Sequence, residues 1–417
     1  MQVYENKILD VRKTGSEKLI MDITEFKEPL ILHNRIFSKK ESISKIDAYI
    51  RKIKEEILKT SIQLETDLNR FTDIIKQAKV NEKEILFFGM EYDFHIINHA
   101  NVDFMKINNL RVISLGMPAI TAFGNDYPFP SQLKEILKRR HFGNRDVLIG
   151  IQFGENSILL AEALQYNHEK NGINVLISNY KKVPEYVDIG VFIDTDDKFI
   201  ARDLTQIVLH YISVNIAYET EPQFHDQGAK SFIDYCNLLL ESLKGLDNYI
   251  ENMAESSLLI KTKLLEGNNF FVFGNGGSAA IASFFTDGLR EEFVYSSHVS
   301  SRIFDITSFA GNITKSINQG CYKSDALTKI IQSLGADRGD ILFGISSSGN
   351  SENIIHPFMN LKETIRIGIL GFDDGGVIGR MTDKDLAVIL PDAGGFRSYQ
   401  RAEDGQRIAI SSILNTF

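Results

Sequence analysis

The stretch 270–280 reads Phe-Phe-Val-Phe-Gly-Asn-Gly-Gly-Ser-Ala-Ala, an apolar run that opens onto a glycine-rich turn. The stretch 85–95 reads Ile-Leu-Phe-Phe-Gly-Met-Glu-Tyr-Asp-Phe-His, so the same apolar run occurs 185 residues earlier without the glycine loop. A second matching pair begins at Asp146 and Asp340, where both copies read Asp, Leu, Gly and Ile at the same spacing. An internal repeat therefore organises the chain, and its two copies retain different polar residues.

Short apolar runs alternate with segments of helical periodicity on both sides of these stretches. The predicted strands are 112–115, 146–151, 174–177 and 189–193 in the first copy, and 270–273, 341–345, 365–370 and 386–390 in the second. Helical periodicity over 38–80 and 229–266 precedes each glycine-terminated strand. The alternation predicts an α/β fold with two domains, each a mainly parallel sheet flanked by helices in a flavodoxin-like, three-layer arrangement.

The predicted organisation is an N-terminal extension over 1–38, a first domain over 39–220 and a second domain over 226–417. Residues 1–38 alternate between apolar and polar and indicate short strands that have no counterpart in the second copy. The polar stretch 219–228 is the predicted linker.

Composition excludes several classes of function. The chain has 417 residues, a net charge of −9 and a pI near 5.6, which argues against a nucleic-acid-binding surface. Cys236 and Cys321 are its only cysteines and indicate neither a disulfide framework nor a cysteine zinc site. The polar N-terminus and the lack of a long apolar run predict a cytoplasmic protein without a membrane partner.

Two loops of the second copy have the composition of a phosphate site. In 274–278 the glycines allow close backbone approach, and the start of the following helix supplies amide donors. The stretch 346–351 reads Ser-Ser-Ser-Gly-Asn-Ser and also lies between an apolar run and a predicted helix, so its hydroxyls can join the amides in binding an anion. A tight structural turn is the alternative for the first loop alone. The pair predicts phosphate binding.

These loops, with the later Gly-Ile-Leu-Gly-Phe-Asp-Asp-Gly-Gly, resemble a SIS (sugar isomerase) domain over roughly 226–417, and the phosphoheptose isomerases in particular. The resemblance implies that the serine loop binds the phosphate and that the other positions contact the sugar. The phosphate residues would be Ser346, Ser347, Ser348 and Ser351, and the sugar contacts would be Asn275, Gly276, Ser278 and Asp305.

In that family a His-x-x-x-Glu pair, and a Gln followed eight residues later by His, supply the metal ligands and the acid/base pair. These positions fall on Phe284, Gly288, Glu403 and Ser411 in the second copy. We expect none of the four to replace its counterpart, so the second copy alone should bind a sugar phosphate without isomerising it.

The first copy retains the reactive positions and has lost the phosphate loop. When the first copy is aligned with the family, the His-x-x-x-Glu positions fall on His99 and Asp103, which share one helical face. The later histidine position falls on His210, and the glutamine position falls on Arg202. The segment 119–127 also resembles the family, whereas 150–157 has lost hydroxyls and gained Glu155. The resemblance implies that His99, Asp103 and His210 are catalytic and are the ligands of a possible zinc ion.

Asp103 would then be the base and His210 the acid, while Arg202 would contact the substrate and stabilise its oxyanion. The structural alternative is that these are ordinary packed or surface residues. We interpret His95 and His141 as ordinary surface residues.

A phosphate at the start of the second copy's helix cannot easily present its sugar to a residue three turns further along, because ten helical residues span about 15 Å. We therefore expect a composite site in which the second half binds phosphate and the first half supplies the reactive groups. Phosphoheptose isomerases similarly build their sites between subunits.

The predicted activity is aldose–ketose isomerisation of sedoheptulose 7-phosphate in heptose biosynthesis, by a homo-oligomer such as a dimer of tandem chains. The alternatives are a non-catalytic phosphosugar sensor or assembly scaffold, and a tandem SIS enzyme acting on a hexosamine phosphate.

Overall fold

The computed structural model describes most of the chain. The described residues are 30–32, 35–90, 92–115, 117–124, 126–154, 157–220, 229–295, 302–307, 325–372, 374–383, 386–391 and 398–417. Most of the predicted extension 1–38 and nearly all of the predicted linker 219–228 lie outside them. Within the extension, strands β1 (Leu30–Leu32) and β2 (Arg35–Phe37) pair in an antiparallel ladder.

The first half contains one parallel five-stranded sheet in the order β4-β3-β5-β6-β7. Its strands are β3 (Ile85–Phe88), β4 (Val112–Ser114), β5 (Val147–Gln152), β6 (Ile173–Ser178) and β7 (Ile189–Phe192). Its helices are α1 (Lys39–Val80), α2 (Asp93–Lys106), α3 (Met117–Gly124), α4 (Gln132–Arg139), α5 (Ile158–Glu169) and α6 (Lys198–Thr220).

The second half repeats this topology in a parallel sheet of order β9-β8-β10-β11-β12. Its strands are β8 (Asn269–Phe273), β9 (Arg302–Asp305), β10 (Ile341–Ser346), β11 (Ile365–Gly371) and β12 (Ala387–Leu390). Its helices are α7 (Phe232–Leu243), α8 (Ile250–Leu265), α9 (Gly277–Leu289), α10 (Ala326–Ser333), α11 (Glu352–Asn360), α12 (Gly376–Gly379) and α13 (Tyr399–Leu414). The predicted fold class is confirmed.

The aspartate shared by the two copies has the same structural role in each. Asp340 accepts hydrogen bonds from the backbone amides of Asn269 and Asp337, both at 2.8 Å. Asp146 accepts from the amides of Glu84 and Gly143, at 3.0 and 3.1 Å. Each aspartate thus joins the start of a central strand to a neighbouring connection, which explains why both copies retain it.

The layer of helices between the two sheets belongs to a single hydrophobic core. Helices α1, α2, α6, α7, α8, α9 and α13 contribute to it, and separate clusters cover the outer face of each sheet. The long helix α1 packs against α7 and α8 of the second half as well as α6 of its own. Residues of both halves therefore meet where α2 contacts α9 and where α6 contacts α13.

Among the described helices, none combines the length and the apolar character needed to cross a membrane.

Candidate functional site

Four buried side chains from three helices converge at the boundary between the halves. His99 and Asp103 come from α2, His210 from α6, and Glu403 from the N-terminal part of α13. One potential ligand atom of each lies within 4.8 Å of the other three. The cluster thus takes three residues from the first half and one from the second.

The closest atoms of this four-residue cluster face one another directly. His99 Nε2 lies 3.0 Å from Glu403 Oε2 and 3.2 Å from His210 Nε2. His210 Nε2 also lies 3.4 Å from Asp103 Oδ2. His99 and Asp103 can share the cluster because a spacing of four residues puts them on one face of α2.

Burial and charge together shift the pKa values of two members of the cluster, His210 and Asp103. Burial alone would lower the pKa of His210, but the carboxylates of Asp404, Asp103 and Glu403 raise this pKa to about 9. Burial raises the pKa of Asp103, and the nearby His210 and His99 oppose that increase. Without a metal, His210 therefore holds its second proton at neutral pH.

The donor set and its spacing fit a divalent metal. Two imidazole nitrogens and two carboxylate oxygens are ligand types that zinc uses. Ligand atoms around a tetrahedral zinc at about 2.0–2.1 Å lie about 3.3 Å from each other. Three of the six separations, at 3.0, 3.2 and 3.4 Å, are close to that value, and all six lie within 4.8 Å. Zinc therefore fits the four residues His99, Asp103, His210 and Glu403.

The glycine loop of the second half lies against this cluster. Gly277 begins α9, directly after Gly276, whose φ is +53°. A Cβ atom added at Gly277 would overlap Nε2 of His99 and lie 2.5 Å from Oε2 of Glu403. Only a glycine allows the backbone to come this close, so the loop predicted to contact the sugar adjoins His99 and Glu403.

The serine loop adjoins the start of α13, which carries Glu403. A Cβ atom added at Gly371 would lie 2.9 Å from the carbonyl oxygen of Ser347 and 3.0 Å from the Cβ of Ala402. The side chains of Asn275 and Asn353 exchange two hydrogen bonds of 3.0 and 2.8 Å, which join the glycine loop to the helix after the serine loop. Both predicted phosphate-binding loops therefore lie on the side of the second half that carries Glu403.

Individual serines differ in their availability to a ligand. Ser346 Oγ accepts a hydrogen bond from the amide of Gly349, and Ser348 Oγ accepts one from Asn350. The hydroxyl of Ser347 is buried and has no partner within the described part of the chain. Ser351 is the N-cap residue of α11, so the loop delivers hydroxyls and amides at a helix N-terminus.

Two more of the predicted sugar contacts, Ser278 and Asp305, also have protein partners. Ser278 Oγ donates to Gln406 Oε1 at 3.4 Å. Asp305 accepts hydrogen bonds from Ser283 Oγ and from the amide and hydroxyl of Thr307. These contacts hold Ser278 in place at the start of α9 and Asp305 at the end of β9.

Three expectations require correction. Glu403, dismissed when the second half was considered alone, contributes an oxygen to the cluster. Arg202 does not stand beside the cluster as expected. It lies eight residues, or about 12 Å, before His210 along α6, and its Nε pairs with Asp93 at 2.9 Å. His95 is not a surface residue, because it is 8% exposed and its Nε2 lies 3.0 Å from Asp287 Oδ2 in the other half.

One available signal could have identified Glu403. It falls on the family's glutamine position, and a glutamate retains a side-chain oxygen of the same reach. A ligand set taken from one half alone leaves Glu403 out, whereas a set taken from both halves includes it.

Comparisons with known proteins agree with this architecture. A family model described as a SIS domain matches residues 232–364. The phosphoheptose isomerase of Aromatoleum aromaticum is 31% identical over 165 residues, which cover 39% of this chain and 80% of that protein. A probable phosphoheptose isomerase of Thermoplasma acidophilum is 31% identical over 170 residues, covering 40% of this chain and 83% of that protein.

Solved structures extend the similarity in fold to both halves. A putative sugar binding protein from Salmonella typhimurium has a TM-score of 0.56 at 13% identity, covering 88% of this chain and 99% of that one. The C-terminal domain of glucosamine-fructose-6-phosphate aminotransferase from Francisella tularensis has a TM-score of 0.55 at 13% identity, covering 89% and 94%. At this identity the matches show a shared tandem fold.

Proposed function

Because the chain belongs to the SIS (sugar isomerase) domain family, with a second half homologous to the phosphoheptose isomerases, we propose that it is a sugar-phosphate aldose–ketose isomerase. Its single active centre would lie between the two halves. The observation that carries this proposal is the placement of Gly277, from the phosphate-binding half, against His99 of the other half. The proposed reaction converts sedoheptulose 7-phosphate to the aldose heptose 7-phosphate.

The serine loop would hold the phosphate. Hydroxyls of Ser346, Ser347, Ser348 and Ser351, together with amides at the start of α11, offer donors without a fixed positive charge. The unpartnered hydroxyl of Ser347 supports this role, since a buried hydroxyl without a partner costs free energy that a phosphate oxygen can offset. The sugar would then extend along the glycine loop toward the cluster.

The proposed chemistry is a proton transfer through an enediol. Asp103 would take a proton from C1 of the ketose while O2 gains a proton, and the reverse transfers at O1 and C2 would complete the aldose. Burial raises the pKa of Asp103, which strengthens it as a base. In the metal-free centre, Nε2 of His210 would exchange protons with the sugar oxygens.

A divalent metal such as zinc, held by His99, Asp103, His210 and Glu403, would stabilise the oxyanion charge of the enediol. A carboxylate has two oxygens, so Asp103 would keep one for the substrate if the other held a metal.

The test is conversion of sedoheptulose 7-phosphate, followed by NMR together with a panel of five- and six-carbon sugar phosphates and a hexosamine phosphate. Asp103→Asn and His210→Ala should abolish turnover and retain sugar-phosphate binding. Ser411→Ala, at the position in α13 that corresponds to His210, is the matched control and should remain active. Normal turnover in the first two variants would contradict the proposal. Binding by the wild-type protein without conversion would instead support a non-catalytic phosphosugar-binding protein.

A further inference from the structure

Each half contains a buried aspartate–tyrosine pair that faces the last long helix of the other half. In the second half, Asp404 of α13 accepts a hydrogen bond of 2.7 Å from the hydroxyl of Tyr235 in α7. In the first half, Asp203 of α6 accepts a hydrogen bond of 2.8 Å from the hydroxyl of Tyr49 in α1. The two pairs occupy corresponding helices, so they are two copies of one structural device.

The copies differ in what the aspartate holds. Asp404 Oδ1 lies 2.7 Å from Nδ1 of His210 and accepts its proton in a hydrogen bond. Asp203 Oδ1 accepts instead from Ser411 Oγ at 2.9 Å, and Ser411 occupies the position in α13 that corresponds to His210 in α6. An imidazole is therefore held in one copy and a hydroxyl in the other.

In the first half a guanidinium balances the charge of the aspartate. Arg407 Nε donates to Asp203 at 3.1 Å, and its guanidinium carbon lies 3.5 Å from the centroid of the Phe284 ring. Phe284 corresponds to His99 in the repeat. We call Tyr49, Asp203, Arg407, Ser411 and Phe284 the mirror centre. It retains the aspartate–tyrosine pair without either imidazole, so the pair there can serve only packing and charge balance.

The contact between Asp404 and His210 has a specific chemical consequence. A carboxylate on Nδ1 keeps a proton on that nitrogen, so a neutral His210 has its lone pair on Nε2. Nε2 faces His99 Nε2 at 3.2 Å and Asp103 Oδ2 at 3.4 Å. His99 receives no such support, since its Nδ1 has no partner among the described residues.

We propose that Asp404 and Tyr235 are positioning residues of the active centre: Asp404 fixes the ring orientation and tautomer of His210, and Tyr235 fixes the orientation of the Asp404 carboxylate. Gln206 Nε2, 3.3 Å from Asp404 Oδ1, supports the same carboxylate. The catalytic use of His210 rests on the proposed function, whereas its orientation does not. Neither Asp404 nor Tyr235 is expected to contact the substrate.

The first test is NMR of the metal-free protein labelled with nitrogen-15 in its histidines. A hydrogen bond from Nδ1 to a carboxylate should give His210 a strongly downfield proton signal, which His210→Ala assigns by its loss. Asp404→Asn should abolish or markedly shift this signal. Tyr235→Phe retains the carboxylate and should shift the His210 signal by less than Asp404→Asn does. It remains informative if Asp404→Asn does not fold. Tyr49→Phe removes the equivalent hydrogen bond of the mirror centre and should leave the signal unchanged.

The second test is the zinc dissociation constant, measured by competition with a chelator. Loss of a ligand's supporting group typically weakens metal binding about 10- to 100-fold, the range expected for Asp404→Asn. Tyr235→Phe should weaken zinc binding about threefold or more, the effect of one hydrogen bond. Tyr49→Phe should match Tyr235→Phe in its loss of thermal stability and bind zinc like the wild-type protein.

An unchanged His210 signal in both Asp404→Asn and Tyr235→Phe would overturn the proposal. Equal effects of Tyr49→Phe and Tyr235→Phe on the signal would also overturn it. Because neither readout depends on turnover, a wild-type protein that fails to isomerise sugars would refute the proposed function and leave this inference standing.

Discussion

Replacing Gly277 with alanine places a single methyl group at the point where the two halves meet. Gly277 begins α9 and is not among the residues with positive φ, so alanine suits its backbone and the effect comes from the side chain alone. The new Cβ would overlap Nε2 of His99 and lie 2.5 Å from Oε2 of Glu403. These are two of the four proposed metal-binding atoms.

The size of the effect of Gly277→Ala on turnover follows from how far the side chains of His99 and Glu403 must move. Non-bonded heavy atoms need about 3.5 Å, so the Glu403 oxygen must retreat by about 1 Å, and the His99 ring by at least as much. A misplacement of about 1 Å can cost about 100-fold in rate. Overpacking of this kind typically costs about 1–3 kcal/mol of folding free energy. We therefore expect a folded protein with turnover reduced about 100-fold and weakened zinc binding.

The assay compares Gly277→Ala with Gly288→Ala in turnover, zinc affinity and thermal unfolding. Gly288 lies in the same helix, and its added Cβ would lie 2.6 Å from Cδ1 of Leu414, a side chain outside the cluster. The control should lose stability and retain both zinc binding and turnover. Equal turnover and zinc affinity in the two variants would refute the placement of the glycine loop against the cluster.

Three further predictions address the metal site and the fold. Glu403→Gln removes a charge without changing size and should weaken zinc binding about tenfold or more in a chelator competition, whereas unchanged affinity would exclude Glu403 as a ligand. Burial lowers the pKa of Lys261 to about 7, so the folded state binds fewer protons than the unfolded chain between about pH 7 and 10.5 and stability rises with pH across that window. Lys261→Met should remove up to about 1.4 kcal/mol per pH unit of that rise in urea unfolding, and an identical pH profile in both proteins would contradict it. Asp340→Ala leaves the amides of Asn269 and Asp337 without their acceptor and should cost about 2–4 kcal/mol in the same experiment, with a loss below about 0.5 kcal/mol arguing against the role of Asp340.

The fold was accessible from the sequence because central parallel strands are buried on both faces. Ile341–Ser346 is buried throughout, and the corresponding Val147–Gln152 nearly so, which is why both appear as uninterrupted apolar runs. The repeat then indicated two copies of one topology. The packing of α1 against α7 and α8 was not predictable, because a periodic apolar face does not identify its partner.

The first-half members of the cluster were predictable, because His99 and Asp103 share a helical face and His210 falls on a family position. The place of Glu403 in the cluster was not predicted, because its partner His99 lies 304 residues away in the sequence. The periodicity of a helix does not show which residues of the other half it contacts. Arg202 was misplaced because Asp93, the first residue of α2, pairs with it. The roles of Asp404 and Tyr235 depend on distances, which no residue pattern contains.

The most direct measurement of the central claim is a crystal structure of the protein with bound sedoheptulose 7-phosphate and zinc. We predict the phosphate at Ser346–Ser351 and the C1 and C2 atoms of the same sugar beside His210 and Glu403 of the same chain. A phosphate in the serine loop with its sugar directed away from these side chains, or a metal bound elsewhere, would contradict the account.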